Sequence, residues 1–449
     1  MHDLKQKTGK YRWLIISLLL FSTTINYTDR QVIAYLKEFF CTPLAQGGFG
    51  WTDTDYANVG SAFITCYAGI TILAGWVIDK IGTKLGLALS LIVWSVFGTL
   101  SAFAGSLVAV HAIFRSLFGI GEAGNFPASI KTVAEWFPKK ERALATAIFN
   151  SGSNIGAMIA ALFVPWCLIY FGDQQGWKLA YIIPGIAGFL WLFFWFKLYA
   201  SPKQLFKKGK LSQAEYDYIH SDNDLQEQTG NTKVPWIRLL GYRQTWAFIV
   251  GKLMTDGIWW FYLFWLPDYL KKQFNMTRAE VMIPTFIVYG IAIIGSIYGA
   301  SIPLKFINKG WSVYKARMIT LLIIAFFPLF VLFTQYVGDV SIFGTMAPIL
   351  AIGIICIAAT AHQAWSANLF TTVSDMFPKK AVASVTGIGA AAGGLGGVLV
   401  MQLSGTLNML FITKPHTAYF LMFIVCALSY LIAWGIMKLL VPKHNPIDL

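Results

Sequence analysis

The chain has 449 residues, of which 56% are hydrophobic, 16% aromatic and only 12% charged, with a mean hydropathy of +0.60. A water-soluble chain is nearer a quarter charged, so soluble multidomain, disordered, collagen-like and coiled-coil readings are excluded. The formal charge of +14 points to nucleic acid only if its cations gather on one surface, and five cysteines, an odd number, make no disulfide framework.

Apolar stretches long enough to cross a bilayer, roughly 20 residues each, occupy 12–36, 57–79, 84–105, 107–136, 142–171, 178–200, 244–270, 281–306, 314–337, 342–376, 382–412 and 416–441. The first holds Asn26, Asp29 and Arg30, is too long for a secretory h-region and lacks a small-residue cleavage site, so no cleavable signal is expected. Consecutive helical residues diverge by about 100°, so Asp29 and Arg30 need different partners. In the fourth, Arg115 and Glu122 lie two turns apart, about 10 Å along the axis, too far for a direct pair, and His111 continues their stripe. Gly119, Gly121, Gly124 and Pro127 bracket Glu122. Cys66, Cys167, Cys356 and Cys426 read as small buried hydrophobes.

Segment 201–243 is the one long polar divider, and Ser212-Gln213-Ala214-Glu215 in it reads as a capping box opening a short surface helix. Beyond it the seventh stretch carries Lys252, Asp256, Trp259, Trp260 and Tyr262; Lys252 reads as snorkelling to the membrane edge and the two tryptophans as a lipid-interface belt. The tenth carries His362, Gln363, Trp365, Ser366 and Asn368, donors, acceptors and an indole face suited to a polyhydroxylated ligand. The eleventh is crowded with glycine.

Placing both termini on one side puts 25 of the 35 Lys and Arg on that side and 6 on the other. That side is cytoplasmic by the positive-inside rule, which accounts for the charge without nucleic acid. Glu135-Trp136-Phe137-Pro138-Lys139-Lys140 and Asp375-Met376-Phe377-Pro378-Lys379-Lys380 lie 240 residues apart, and twenty ungapped positions from Phe137 hold eight identities. The expected fold class is an all-α polytopic membrane protein, with twelve transmembrane helices in two pseudo-symmetric six-helix bundles. Residues 1–200 and 244–449 form the bundles and 201–243 a cytoplasmic linker. Such duplicated folds transport at a midplane site between the halves.

Ionisable groups inside spans cost roughly 3 kcal/mol each on insertion scales and mark function. Arg30, always charged and forked, is the anchor for an organic anion. Asp29 and Glu122 are the candidate proton carriers, because a buried carboxylate's protonation responds to desolvation and to nearby cations. Neutralising such a carboxylate frees an arginine for the substrate, so proton and anion binding favour each other. The 240-residue offset carries Glu122 onto His362.

Gly75-Trp76-Val77-Ile78-Asp79-Lys80-Ile81-Gly82-Thr83-Lys84 resembles the loop between helices two and three of the major facilitator superfamily, departing at Thr83, where a basic residue is usual. Asn26-Tyr27-Thr28-Asp29-Arg30, Arg115 with Gly121-Glu122-Ala123-Gly124-Asn125-Phe126-Pro127, and His362 to Asn368 followed by Phe377-Pro378-Lys379-Lys380 resemble the anion:cation symporter family over nearly the whole chain. The resemblance implies that Arg30 holds a substrate carboxylate and that Tyr27 and Tyr67 add hydroxyls. It also implies that Asp29 and Glu122 carry protons, that Arg115 tunes Glu122, and that Asn154 is a polar contact in the fifth helix. His362, Gln363 and Trp365 look most like the hexuronate branch.

The expected function is proton-coupled import of a hexuronate by alternating access, through a monomer in a bacterial inner membrane with no cofactor. The alternatives are another sugar acid, such as galactonate or glucarate, or another carboxylate. An intramembrane enzyme is disfavoured because no His-Glu-x-x-His motif occurs and Ser151 and Ser153 lack an evident base. A membrane sensor is disfavoured because no output domain is evident.

Overall fold

The computed structural model describes residues 9–221, 235–443 and 447. The acidic stretch from Asp222 to Glu227 lies outside them. The described residues form helices and no strand. The first three spans are Tyr11–Cys41, Asp53–Ile81 and Thr83–Ser101. The fourth is broken at Ala123 and Gly124 into Val108–Glu122 and Asn125–Trp136. The fifth and sixth are two arms of the helical stretch Lys139–Leu198, divided at Gly172, whose φ of 71° a residue with a Cβ rarely adopts. The seventh and eighth are Arg243–Phe274 and Arg278–Ile307. The ninth is Val313–Phe326, prolonged by the 3-10 turns Phe327–Phe333 and the short helix Thr334–Val337. Ala347–Met376, Lys379–Leu410 and Pro415–Leu440 complete the set.

Seven of these helical stretches, the joined fifth and sixth counting as one, are long and apolar enough to cross a membrane; the second joins them if its 52° bend beside Leu73 lies within one span. The first, fourth and seventh fall short, and they carry Asp29, Arg30, Lys37, Arg115, Glu122, Lys252, Asp256 and Asp268. The first and seventh are long enough but too polar, because of this machinery, and the fourth is broken beside Glu122 into helices of 15 and 12 residues.

Local chemistry sets the helix starts. Thr52 with Asp55 and Thr277 with Glu280 form reciprocal capping boxes that satisfy the first free N–H groups of the second and eighth spans. The expected box at Ser212 is only half formed. Ser212 Oγ accepts from Glu215 N at 3.2 Å, but the Glu215 carboxylate turns to Arg12, accepting from its backbone N at 3.1 Å. Glu215 is 2% exposed, so Gln213–Ile219 is docked on the first span rather than lying free on the surface. Near the motif loop, Thr83 Oγ1 donates to Glu135 Oε1 at 2.6 Å and Tyr199 OH to its other oxygen at 2.7 Å. The residue departing from the family pattern thus has its own partner. Lys131 pairs with Asp79 at 2.9 Å.

The sequence repeat has a matching geometry. Gly156 of the fifth span lies so close to the first that an added Cβ would strike the Thr24 carbonyl, and Gly396 of the eleventh lies the same way against the Leu253 carbonyl of the seventh. Both pairs need glycine for backbone contact. The protein therefore consists of two six-helix bundles of one plan.

Bonds between the bundles gather at the end away from the linker. Lys37 meets Asp268 at 2.8 Å, Lys272 meets Asp53 at 3.3 Å, and Glu38 accepts from Arg278 Nε at 2.7 Å. Lys37 also pairs with Asp53, Lys271 with Glu38, and Arg278 with Asp173. Gln402 donates to Asn58 at 3.0 Å and to Ser61 at 2.9 Å. The other end carries the linker and both described ends of the chain: Arg12 bonds Glu141 at 3.0 Å, and Ile447 N donates to the Met376 carbonyl at 2.9 Å.

Candidate functional site

Arg30 and Glu122, 92 positions apart, form a buried ion pair. Arg30 Nε and Nη2 both grip Glu122 Oε2, at 2.9 and 2.8 Å, while Glu122 Oε1 has no hydrogen-bond partner. Four rings surround the guanidinium, with centroids 4.2 Å (Tyr27), 4.7 Å (Tyr67), 5.4 Å (Trp260) and 5.5 Å (Phe63) from its carbon. These cation–π contacts stabilise the charge where water is excluded, and they hold the planar fork in one place. Trp260 comes from the other bundle. It is 7% exposed, so the lipid-belt expectation is corrected: the seventh span turns this indole onto Arg30.

Arg115 sits behind the pair. Its Nη2 donates to the Arg30 carbonyl at 3.1 Å, and its guanidinium lies 4.5 Å from the Phe118 ring and 4.8 Å from Phe63. Its Nε and Nη1 have no hydrogen-bond partner. It forms no ion pair with Glu122 among those described, as the two-turn spacing requires. Asp29 points into its own bundle, away from Arg30. It is 1% exposed, neither carboxylate oxygen has a hydrogen-bond partner, and a Cβ on Gly98 of the third span would lie 3.8 Å from Oδ1. A buried carboxylate so placed is costly unless a proton or a cation neutralises it. His111 lies on the same buried face as Arg115 and Glu122, but its ring has other neighbours. Its Nε2 is 3.0 Å from the Gly105 carbonyl, and its ring packs among Phe40, Phe49, Trp51 and Trp177. Asn154 is buried on the fifth span and makes none of the described hydrogen bonds to Arg30, Tyr27 or Tyr67.

In the second bundle His362 stacks on Trp259, ring centroids 5.0 Å apart and planes 5° from parallel, and its Nδ1 lies 2.8 Å from Tyr430 OH. Trp259 is therefore not a belt residue either. Gln363 Oε1 accepts from Ser296 at 3.2 Å, which directs that amide to the eighth span. Trp365 is fully buried edge-on to Tyr430, so protein covers its ring in this conformation. Ser366 is half-buried one turn from His362. Lys252 does not snorkel: it pairs with Asp256 at 2.5 Å and lies over Phe370 at 4.4 Å. The i,i+4 spacing of Lys252 and Asp256 was the signal for that pair, and Asp268 with Lys272 repeats it at 3.1 Å within the ionic cluster that joins the bundles away from the linker, the latch.

A twelve-span duplicated bundle with an ion pair at the seam of its halves is the architecture of a secondary transporter. Residues 19–401 match the Major Facilitator Superfamily, and the chain belongs to that superfamily of membrane transporters. Among its relatives, the hexuronate transporter of Escherichia coli strain K12 is 28% identical over 438 residues, spanning 96% of this chain and 95% of that one. The galacturonate transporter of Dickeya chrysanthemi is 31% identical over 297 residues, 66% of this chain and 82% of the relative. Among solved structures, a bacterial homolog of the human lysosomal transporter Spinster shares the fold, with a TM-score of 0.72 at 17% identity over 96% of this chain and 97% of that one.

Proposed function

We propose that the protein imports a sugar acid, a hexuronate such as galacturonate or glucuronate, together with protons. The observation that carries this reading is the Arg30–Glu122 pair. Arg30 is the anion anchor, and its fork is gripped by Glu122 Oε2. A substrate carboxylate and Glu122 compete for one guanidinium, so a proton on Glu122 releases Arg30 to the substrate, and bound substrate favours the proton. Tyr27 and Tyr67, already against Arg30, supply hydroxyls. Arg115, bonded to the Arg30 carbonyl, fixes the first span at this point and adds a positive field near Glu122. Asp29 is a second proton carrier. On the facing bundle, His362, Gln363 and Ser366 receive the hydroxylated part of the ligand, Asn154 adds a contact from the fifth span, and Trp365 supports the wall behind.

The two bundles, 1–200 and 244–449, rock about this site, with 201–243 as the cytoplasmic linker. The working unit is a monomer in the bacterial inner membrane, both termini cytoplasmic, and the ionic latch is the periplasmic closure. If one proton accompanies one monoanion, no net charge crosses; a second proton recruits the membrane potential, worth about 2.3 kcal/mol per charge per 100 mV. The names of the hexuronate and galacturonate relatives support the cargo class.

The test is galacturonate-driven proton entry into proteoliposomes. Acidification on addition of galacturonate, lost in Arg30→Ala, is expected. Indifference to galacturonate, glucuronate and other sugar acids alike would overturn the cargo class.

A further inference from the structure

Resting on that reading, we infer a second carboxylate-binding station at Lys252, on the linker side of Arg30, which receives the sugar acid's carboxylate on its way to the cytoplasm. Lys252 is 5% exposed, too deep for a snorkelling lysine; its ammonium is held by Asp256 at 2.5 Å and lies 4.4 Å from the Phe370 ring centroid. The pair is not sealed in a core. The Asp256 side chain keeps 21% of its surface and Phe370 is 38% exposed, so the carboxylate that holds the ammonium reaches accessible surface although the lysine itself is covered. The arrangement copies Arg30–Glu122 in kind: a cation inside the span set, held by a carboxylate and backed by an aromatic ring. A bracing pair has no need of that access.

The seventh span fixes the level of this station. It runs from the linker at Arg243 to the latch at Phe274, and its Trp260 touches Arg30. Lys252 lies eight residues nearer the linker, about 12 Å along the axis at 1.5 Å per residue. A six-carbon acid, at about 1.2 Å per bond as in extended backbone, spans about 6 Å. The separation is twice that, so the two cations serve one carboxylate in turn rather than two carboxylates at once. Asp256 takes the part that Glu122 takes deeper in: it keeps Lys252 neutralised when the station is empty and competes with the anion for it, which prevents the anion from being trapped.

The experiment measures the galacturonate KM separately on each face of the full-length protein, in right-side-out and inside-out vesicles, with galactarate as the dicarboxylate control. Lys252→Gln is expected to raise the cytoplasmic-face KM at least tenfold and the opposite-face KM by no more than twofold, with Lys252→Arg restoring most of the loss. Asp256→Asn is expected to move the other way, lowering the cytoplasmic-face KM and slowing turnover as release becomes limiting. The double variant Lys252→Gln/Asp256→Asn removes both charges together, so no lone charge is left buried, and it is expected to keep the sided defect. Equal effects on both faces, a defect confined to galactarate, or wild-type KM in the double variant would each overturn the station. Absence of sugar-acid transport by the wild-type protein would instead overturn the reading it rests on.

Discussion

The two bundles share a backbone plan and differ in the chemistry placed on it. Gly156 against Thr24 and Gly396 against Leu253 superimpose the first span on the seventh at an offset of 229 and the fifth on the eleventh at 240. In that register Arg30 corresponds to Trp259, and Glu122 to His362. The first bundle has there an ion pair of 2.8 Å, the second a ring stack of 5.0 Å. Duplication kept the helix contacts, where a Cβ collides with a carbonyl, and released the side chains that face the seam. On the proposed reading, coupling to protons belongs to Arg30 and Glu122 of the first bundle, while at the same level the second bundle offers rings and hydroxyl partners to the uncharged part of the cargo and carries its own ion pair, Lys252–Asp256, nearer the linker.

Breaking the charged side of this comparison has the largest expected effect. Arg30→Ala removes the anchor and strands Glu122; truncating one member of a buried charge pair costs about 2–5 kcal/mol, so galacturonate binding is expected to fall at least ~30-fold in calorimetry. On the aromatic side, Trp259→Ala is expected to weaken binding by about 1 kcal/mol, or some fivefold, the order of one aromatic contact. Gradient-driven accumulation at saturating substrate is expected to survive. Loss of accumulation in Trp259→Ala would move proton coupling into the second bundle and dissolve the division of labour.

The shared plan is sharpened by a paired substitution. Gly156→Ala and Gly396→Ala each push a methyl against a carbonyl and are expected to destabilise the purified protein by comparable amounts, about 1–3 kcal/mol, in thermal unfolding. The smallest effect belongs to the latch rim. Glu38→Gln removes an exposed partner of Lys271 and Arg278 and is expected to change stability by no more than about 1 kcal/mol, with the residue diminishing in high salt.

The spans and their duplication were legible in sequence because both rest on short-range regularities: apolar length, the Phe-Pro-Lys-Lys repeat, and cations collected on one side. Arg30 and Glu122 were legible as individuals, since an ionisable group in an apolar run is conspicuous. Their pairing was not, because 92 intervening residues carry no contact information. The errors share a cause. Trp259, Trp260 and Lys252 have common membrane-edge roles, and composition cannot tell which face of the seventh span looks inward; Arg30 and His362 supply that answer only in three dimensions. The latch was missed for a different reason: Lys37, Asp53, Asp268 and Lys272 stand at span ends, where charge is ordinary until two ends meet.

The central claim is that Glu122 and the substrate carboxylate exchange places on Arg30, with a proton following the exchange. Calorimetry of galacturonate binding in buffers of different ionisation enthalpy counts that proton directly. Because the substrate-bound form holds more protons than the free form, affinity is expected to fall as pH rises through the titration of Glu122. The account predicts that Glu122→Gln still binds galacturonate tightly but takes up close to one proton fewer per galacturonate than the wild-type protein, any remainder belonging to Asp29. Equal proton uptake in both proteins, or none in the wild type, would contradict it.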